Sequence, residues 1–184
     1  SADAGKSVYV LYEDRTDDKL WSANSVLNAG ISDNISMNAA VNFRKLKSHN
    51  HQNLLDLMGG DYFLDIDPFF AGDARQSDLN NPDRQVTEGD TYGYNYNLLA
   101  TTIDAFTQFK FTYDKVDFYL GQSFTRSSYQ REGLYRNGFY PDNSYGKSEK
   151  QNFSTVLILF VEVRSLLKIL GIMFRCGSIP KHKK

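Results

Sequence analysis

Hydrophobic and polar residues alternate with a period of two near the start of the chain. In 20–31 the odd positions are mainly apolar and the even positions mainly polar, and 35–44 repeats the alternation after Ser32-Asp33-Asn34. Such alternation is typical of strands whose two faces meet different surroundings. Because a short Asp-Asn turn joins the two stretches, they are predicted to form a β-hairpin. A shorter strand over 7–12 is predicted before it, followed by a short connection at Arg15-Thr16-Asp17.

A second hairpin is predicted further along the chain. Residues 99–112 alternate in the same way, as do residues 116–125, and the turn between them is Tyr113-Asp114-Lys115. A further strand begins near Lys150. We therefore expect consecutive strands that run up and down.

The predicted strands are long, and their connections alternate between tight and extended. Each run covers about 10 residues or more, whereas a strand of a soluble protein has about 5–6 and a tilted membrane strand needs about 9–11. Two connections are tight, and two, near 48–95 and 131–149, are long, as in outer-membrane barrels. The pattern predicts an all-β fold, an antiparallel up-and-down β-meander that forms part of a transmembrane β-barrel.

Aromatic residues make up 14% of the chain, and many lie near the predicted strand ends. Rings with a polar tip prefer the boundary between membrane and water. The formal charge of −1 gives no reason to expect a nucleic-acid partner. The aromatic residues near strand ends are Tyr9, Tyr12, Trp21, Tyr94, Tyr96, Tyr113, Tyr119 and Tyr129.

The alternation ends near Ser154, and a continuous apolar run follows at 155–174. Glu162, Arg164 and Lys168 make this run a poor transmembrane helix, so a short packed or amphipathic C-terminal helix is expected. We divide the chain into a barrel segment, 1–154, and an atypical apolar and basic tail, 155–184. A reading-frame shift after about residue 154 would explain the change of character.

Three further stretches have a distinctive composition: Leu57-Met58-Gly59-Gly60-Asp61-Tyr62, Gly121-Gln122-Ser123-Phe124-Thr125 through Arg131-Glu132-Gly133, and Tyr140-Pro141-Asp142-Asn143-Ser144-Tyr145-Gly146-Lys147-Ser148. They resemble the barrels of TonB-dependent receptors of the Bacteroidetes type. The resemblance extends over about residues 6–154 in character.

The resemblance implies a large outer-membrane barrel of about 22 strands with a plug in its lumen. Such receptors import metal chelates, vitamins or glycans with energy delivered by TonB. The expected partners are outer-membrane lipid, the rest of the barrel with its plug, and the TonB complex. A fragment with this number of strands would be inactive alone. Two alternatives stay open: a TonB-independent outer-membrane channel, and a soluble or surface-anchored β-sandwich that binds carbohydrate.

Few residues are candidates for catalysis or for binding a metal or ligand. His49 and His51 are common ligand types for metals, but they are expected at a solvated loop tip with no third ligand in register. The acidic stretch 61–90 contains the oxygen ligands that calcium prefers, without EF-hand spacing. Tyr62, Phe63, Phe69 and Phe70 either stack on a sugar or aromatic chelate or pack the loop onto the barrel rim. No arrangement of nucleophile and base is apparent, so no enzyme activity, cofactor or metal is predicted, and no substrate-binding residue is assigned.

Overall fold

The computed structural model describes residues 4–114, 116–164 and 175–178, and nearly all of their regular structure is β-strand. Five strands are long: β1 (Leu11–Ser32), β2 (Ile35–Asp56), β5 (Thr91–Tyr113), β6 (Val116–Gly133) and β8 (Gln151–Arg164). Four are short: β3 (Phe63–Leu64), β4 (Gln85–Val86), β7 (Gly146–Lys147) and β9 (Arg175–Ser178). One 3₁₀ turn, η1, covers Gly72–Arg75.

The long strands follow one another as an antiparallel meander. The strand order in the main sheet is β1-β2-β5-β6-β8-β9, and β7 pairs with β6 at its edge, while β3 and β4 form a separate two-stranded sheet. The tight connections fall at Asp33-Asn34 and after Tyr113, as predicted. The prediction of an all-β, up-and-down meander is therefore confirmed.

The chain forms two compact units. The loop unit comprises Ser1–Leu20, Leu46–Leu99 and Tyr129–Lys150. The turn unit comprises Trp21–Lys45, Ala100–Ser128 and Gln151–Lys184.

In the turn unit, polar and apolar side chains alternate along the strands. Asp104 accepts a hydrogen bond from Thr125 Oγ1 at 2.9 Å and forms an ion pair with Arg44 at 3.3 Å. On the intervening positions aromatic rings are neighbours, with the Phe118 and Phe160 centroids 6.1 Å apart. Because successive strand residues point to opposite faces, β2, β5 and β6 have one polar and one apolar face in this unit.

The loop unit contains the hydrophobic core of the described residues. Leu54 and Val86 are fully buried, and Leu57 and Tyr92 are nearly so. Phe63 packs against Tyr92 with ring centroids 5.6 Å apart in an edge-to-face arrangement. This small core fixes the long loop between β2 and β5.

The predicted C-terminal helix is wrong for residues 155–164, which continue β8. The run is apolar on both faces, and periodicity cannot distinguish such a strand from a buried helix segment. Sheet pairing decides it: β8 lies between β6 and β9, with Leu159 opposite Cys176. Residues 165–174 lie outside the described part, and the proposed frame shift remains a prediction.

The predicted connection at Arg15-Thr16-Asp17 is also wrong, because β1 runs through it without a break. Polar side chains cross from β1 to β2 here, with Thr16 Oγ1 3.0 Å from Asn50 Oδ1 and Gln52 Nε2 3.1 Å from Asp14 Oδ1. These contacts satisfy the hydrogen-bonding groups of polar side chains in β1, a stretch whose sequence predicts a turn. The expected loop over 48–95 is correspondingly shorter, since β2 ends at Asp56 and β5 begins at Thr91.

Candidate functional site

A buried ion pair organises the long loop between β2 and β5. Asp65 is only 3% exposed, and its Oδ2 accepts a hydrogen bond of 2.7 Å from Arg84 Nη2. Asp65 Oδ1 accepts a second bond of 2.8 Å from the Gly93 backbone N–H. The carboxylate therefore joins the segment around β4 to the start of β5.

The Arg84 guanidinium also lies over the ring of Tyr135, 4.9 Å from its centroid. Tyr135 donates its own hydroxyl to the Thr91 carbonyl at 2.9 Å. Burial disfavours the charge on Arg84, but contacts with Asp65 and Tyr135 outweigh it and raise the pKa of the guanidinium. Burial also raises the pKa of the Tyr135 hydroxyl. Three distant parts of the chain thus meet around one cation.

Beside this network the loop unit forms a cleft with a volume of about 660 Å³. Its aromatic lining comes from Tyr12, Phe63, Phe69, Phe70, Tyr92, Tyr94 and Phe139. Its polar lining includes Gln52, Asp65, Asp67, Arg75, Gln76 and Asn137. A concave surface that combines aromatic side chains with polar groups is typical of ligand sites.

The segments around Gln76 and Gly138 approach each other closely and form one wall of the cleft. The Gly138 N–H donates a bond of 2.8 Å to the Gln76 carbonyl, and a Cβ at Gly138 would lie 1.7 Å from the Asp73 carbonyl oxygen. Only glycine fits at this position. The approach brings Phe139 beside Phe70, with ring centroids 5.1 Å apart.

The loop aromatics singled out from the sequence lie in different surroundings. Phe63 packs on the core, whereas Phe69 is 91% exposed beside the cleft and is available to a ligand. Phe70 lines the cleft while it contacts Phe139. Tyr62 does not line the cleft, and its backbone pairs with Lys6 in an isolated parallel β-bridge. Phe139, some 70 positions further along, was missed because no local pattern connects it with this loop.

A polar clip holds Arg75 at the rim of the cleft. Asp83 accepts hydrogen bonds from Gln76 Nε2, at 2.9 Å, and from the Arg75 guanidinium. In return, the Asp83 N–H donates to Gln76 Oε1 at 2.8 Å. The bonds from Gln76 and then Arg75 lower the pKa of the Asp83 carboxyl, so the clip is kept ionised.

Asp67, Asp78 and Asp90 of the loop accept hydrogen bonds from backbone N–H groups. Asp67 Oδ1 accepts from Phe69 N at 2.9 Å, and Asp78 Oδ1 accepts from Arg136 N at 2.9 Å. Asp90 Oδ2 accepts from Thr87 N at 2.8 Å. Within the described residues, the loop carboxylates do not converge in a group of three with the spacing of metal ligands. Asp67 and Asp90 stabilise turns, and Asp78 holds the backbone at Arg136.

His49 and His51 lie on β2 and not at a loop tip. Their rings are stacked with centroids 4.2 Å apart, and Asp17 of β1 lies beside them. Burial, and then the neighbouring His49, lower the pKa of His51. The sequence offered no third ligand because Asp17 is separated from both histidines along the chain; only the pairing of β1 with β2 joins them.

A scan against protein-family models and searches of curated proteins and solved structures find no match to this chain. None of the helical segments in the described residues has the length and apolar character needed to cross a bilayer. The sheet and the cleft are therefore the features that bear on the class of this protein.

Proposed function

We propose that this chain is part of the β-barrel of a TonB-dependent outer-membrane receptor. In this proposal the strands of the turn unit cross the membrane, and the loop unit is extracellular and contributes to nutrient capture. The remaining strands, a plug and the TonB complex complete the receptor. The chain itself has no catalytic role.

The observation that carries the proposal is the exposure of the apolar side chains in the turn unit. Every buried apolar side chain among the described residues belongs to the loop unit. In the turn unit large apolar side chains stay exposed, and lipid would cover them at one face of a membrane barrel. A soluble β-sandwich instead buries such side chains between two sheets. The exposed set includes Trp21, Ile31, Val41, Phe43, Ile103, Phe124, Val156, Ile158 and Phe160.

Strand length and aromatic placement support the same proposal. The strand segments within the turn unit have about 11–14 residues, enough for a tilted strand to cross a bilayer. Trp21 is 75% exposed at one limit of this unit, and Tyr113 is exposed at a hairpin turn. Amphipathic rings in such positions suit the two membrane interfaces.

The cleft supports a role in capture of a nutrient. Exposed Phe69 and the clipped Arg75 offer one stacking surface and one cation beside several hydrogen-bonding side chains. Aromatic stacking with a few fixed polar groups suits a glycan, a vitamin or an aromatic metal chelate. The long loops of outer-membrane barrels lie outside the cell, where such ligands are met.

The single tryptophan provides a direct test of membrane contact. The full chain is incorporated into phosphatidylcholine vesicles whose acyl chains carry bromine, which quenches fluorescence on contact. We expect the brominated lipid to quench Trp21 strongly, because the residue would lie at the lipid-facing boundary of the sheet. Aqueous acrylamide should quench it weakly.

A matched variant moves the reporter to the cleft. In Trp21→Phe combined with Phe69→Trp, acrylamide should quench strongly and the brominated lipid weakly, since position 69 would be extracellular. If the native chain dissolves without detergent and Trp21 responds to acrylamide alone, the membrane proposal is wrong. That result would favour the soluble carbohydrate-binding sandwich.

A further inference from the structure

Two adjacent strands of the loop unit bring two imidazoles and a carboxylate together. His49 and His51 are two positions apart on β2, so both side chains project from the same face of the strand. Asp17 reaches them from β1, and the candidate ligand atoms of the three residues all lie within 4.8 Å of one another. A single metal ion would draw these atoms closer together, which requires rotation of the side chains.

An independent observation at His51 points to a ligand. His51 is 6% exposed, and its Nδ1 atom is buried without a hydrogen-bond partner. Buried polar atoms in native proteins are nearly always satisfied, and each exception requires an explanation. A metal ion bound to Nδ1 would satisfy this atom, which an ordinary core histidine would satisfy with a protein group.

His49 is oriented by a neighbouring strand. Its Nε2 lies 2.7 Å from Asn95 Oδ1, and since a carboxamide oxygen can only accept, Nε2 carries the proton. The lone pair of Nδ1 is then free for a metal. Outer hydrogen bonds of this kind fix the tautomer and ring orientation of metal-binding histidines.

We propose that Asp17, His49 and His51 bind a divalent first-row transition-metal ion of the zinc class. Two imidazoles favour such ions over Ca²⁺ and Mg²⁺, which prefer oxygen ligands. Three protein ligands leave a fourth position for water or an external ligand. The ion would also connect β1 with β2.

Arg15 is the nearest competitor for the site. Its guanidinium contacts Asp17 at 3.2 Å and Glu13 at 3.5 Å. Both contacts are exposed, and such contacts are weak. When a metal ion binds Asp17, the Arg15 guanidinium loses its exposed contact with Asp17. It can keep its contact with Glu13, so the positive charge of Arg15 is not left unpaired.

The test is metal binding by the full chain, with Zn²⁺ as the probe. Titration calorimetry and metal analysis after gel filtration should give one Zn²⁺ per chain, and Ca²⁺ at the same concentration should not bind. Removal of a residue that only hydrogen-bonds to a metal ligand already weakens metal affinity by about 10- to 100-fold. Asp17→Asn and His51→Ala should therefore weaken Zn²⁺ binding by at least about tenfold.

Two controls make the result decisive. Asp18→Asn changes the neighbouring carboxylate of β1, and His182→Ala removes the one other histidine of the chain. Both should bind Zn²⁺ as the native chain does. Asp17 is exposed, so Asp17→Asn should keep the native circular-dichroism spectrum and show that affinity, not folding, has changed. Absence of stoichiometric Zn²⁺ binding, or equal losses in Asp18→Asn and Asp17→Asn, would overturn the proposal.

This inference does not depend on the receptor proposal. The site lies within the loop unit, and its test measures metal stoichiometry and not membrane insertion. Zn²⁺ binding by a chain that fails the lipid-quenching experiment would support the metal site alone.

Discussion

At the scale of single residues, Asp65 is the charge on which the loop unit depends most. Its carboxylate is almost completely buried, and it binds both Arg84 and the Gly93 N–H. A buried pair is expensive to break because the remaining partner keeps an uncompensated charge. The Arg84 guanidinium also donates to the Thr91 carbonyl, but its buried Nε atom lacks a hydrogen-bond partner, and neither contact supplies a second negative charge.

We expect Asp65→Asn to open the loop unit locally. The cost should fall near the lower end of the about 3–5 kcal/mol seen when one member of a buried pair is removed, because Arg84 is partly exposed. The Gly93 amide should then exchange its hydrogen more than about a hundredfold faster. Hydrogen exchange followed by mass spectrometry measures this directly.

The matched control is Lys147→Gln, which removes an exposed partner of Glu132 4.0 Å away. Such pairs contribute about 0–1 kcal/mol, so exchange at Gly93 should stay near the native rate. Equal exchange in both variants would contradict the role given to Asp65.

At the scale of elements, the beginning of β5 is joined to the beginning of β1 by tyrosines. The Tyr94 hydroxyl donates to Asp14 Oδ1 at 2.9 Å, and the Tyr92 and Tyr12 ring centroids lie 6.0 Å apart. Burial, followed by the hydrogen bond to Asp14, raises the pKa of Tyr94 to about 12. Burial and the nearby Tyr12 hydroxyl raise the pKa of Tyr92 to about 12 as well.

These shifts predict that the loop unit loses stability at alkaline pH. Between about pH 10 and about pH 12 the unfolded tyrosines lose their protons while the folded ones keep them. The folded state then binds more protons, so the free energy of unfolding falls as pH rises through this window and is unaffected below it. Urea unfolding at about pH 9 and about pH 11.5 should show the decrease.

Tyr94→Phe should make that decrease smaller, because phenylalanine has no proton to lose. Tyr9→Phe serves as the control, since Tyr9 is 79% exposed and lies before β1. The interpretation fails if both variants keep the full alkaline decrease, or if stability increases with pH in this range.

At the scale of the whole molecule, long strands alternate with tight turns and extended connections. The sheet is a path of consecutive strands with β1 and β9 at its two ends among the described residues. Completion of such a path into a barrel needs further strands. The receptor proposal therefore predicts that the gene encodes further barrel strands beside this sequence.

We expect the upstream sequence to encode a plug domain. Translation of all frames after the codon for Ser154 should also reveal further alternating strands that end in an aromatic residue, if the tail arises from a frame shift. Sequencing of the gene and its flanks tests both expectations. A continuous native frame through the tail would exclude the frame shift, and absence of a plug would favour a TonB-independent channel.

The sequence by itself determined the two long hairpins, because period-two alternation and turn chemistry at 32–34 and 113–115 are local properties. It placed Tyr62, Phe63, Phe69 and Phe70 in the long loop, but left open whether they stack on a ligand or pack onto the barrel rim. Tertiary structure decided that 155–164 is a strand, since a run apolar on both faces takes the conformation its neighbours pair with. It also decided that Asp17 meets His49 and His51, and that Asp65 meets Arg84 and Tyr135. Strand register and loop packing create these contacts, and both depend on interactions between residues far apart in the chain.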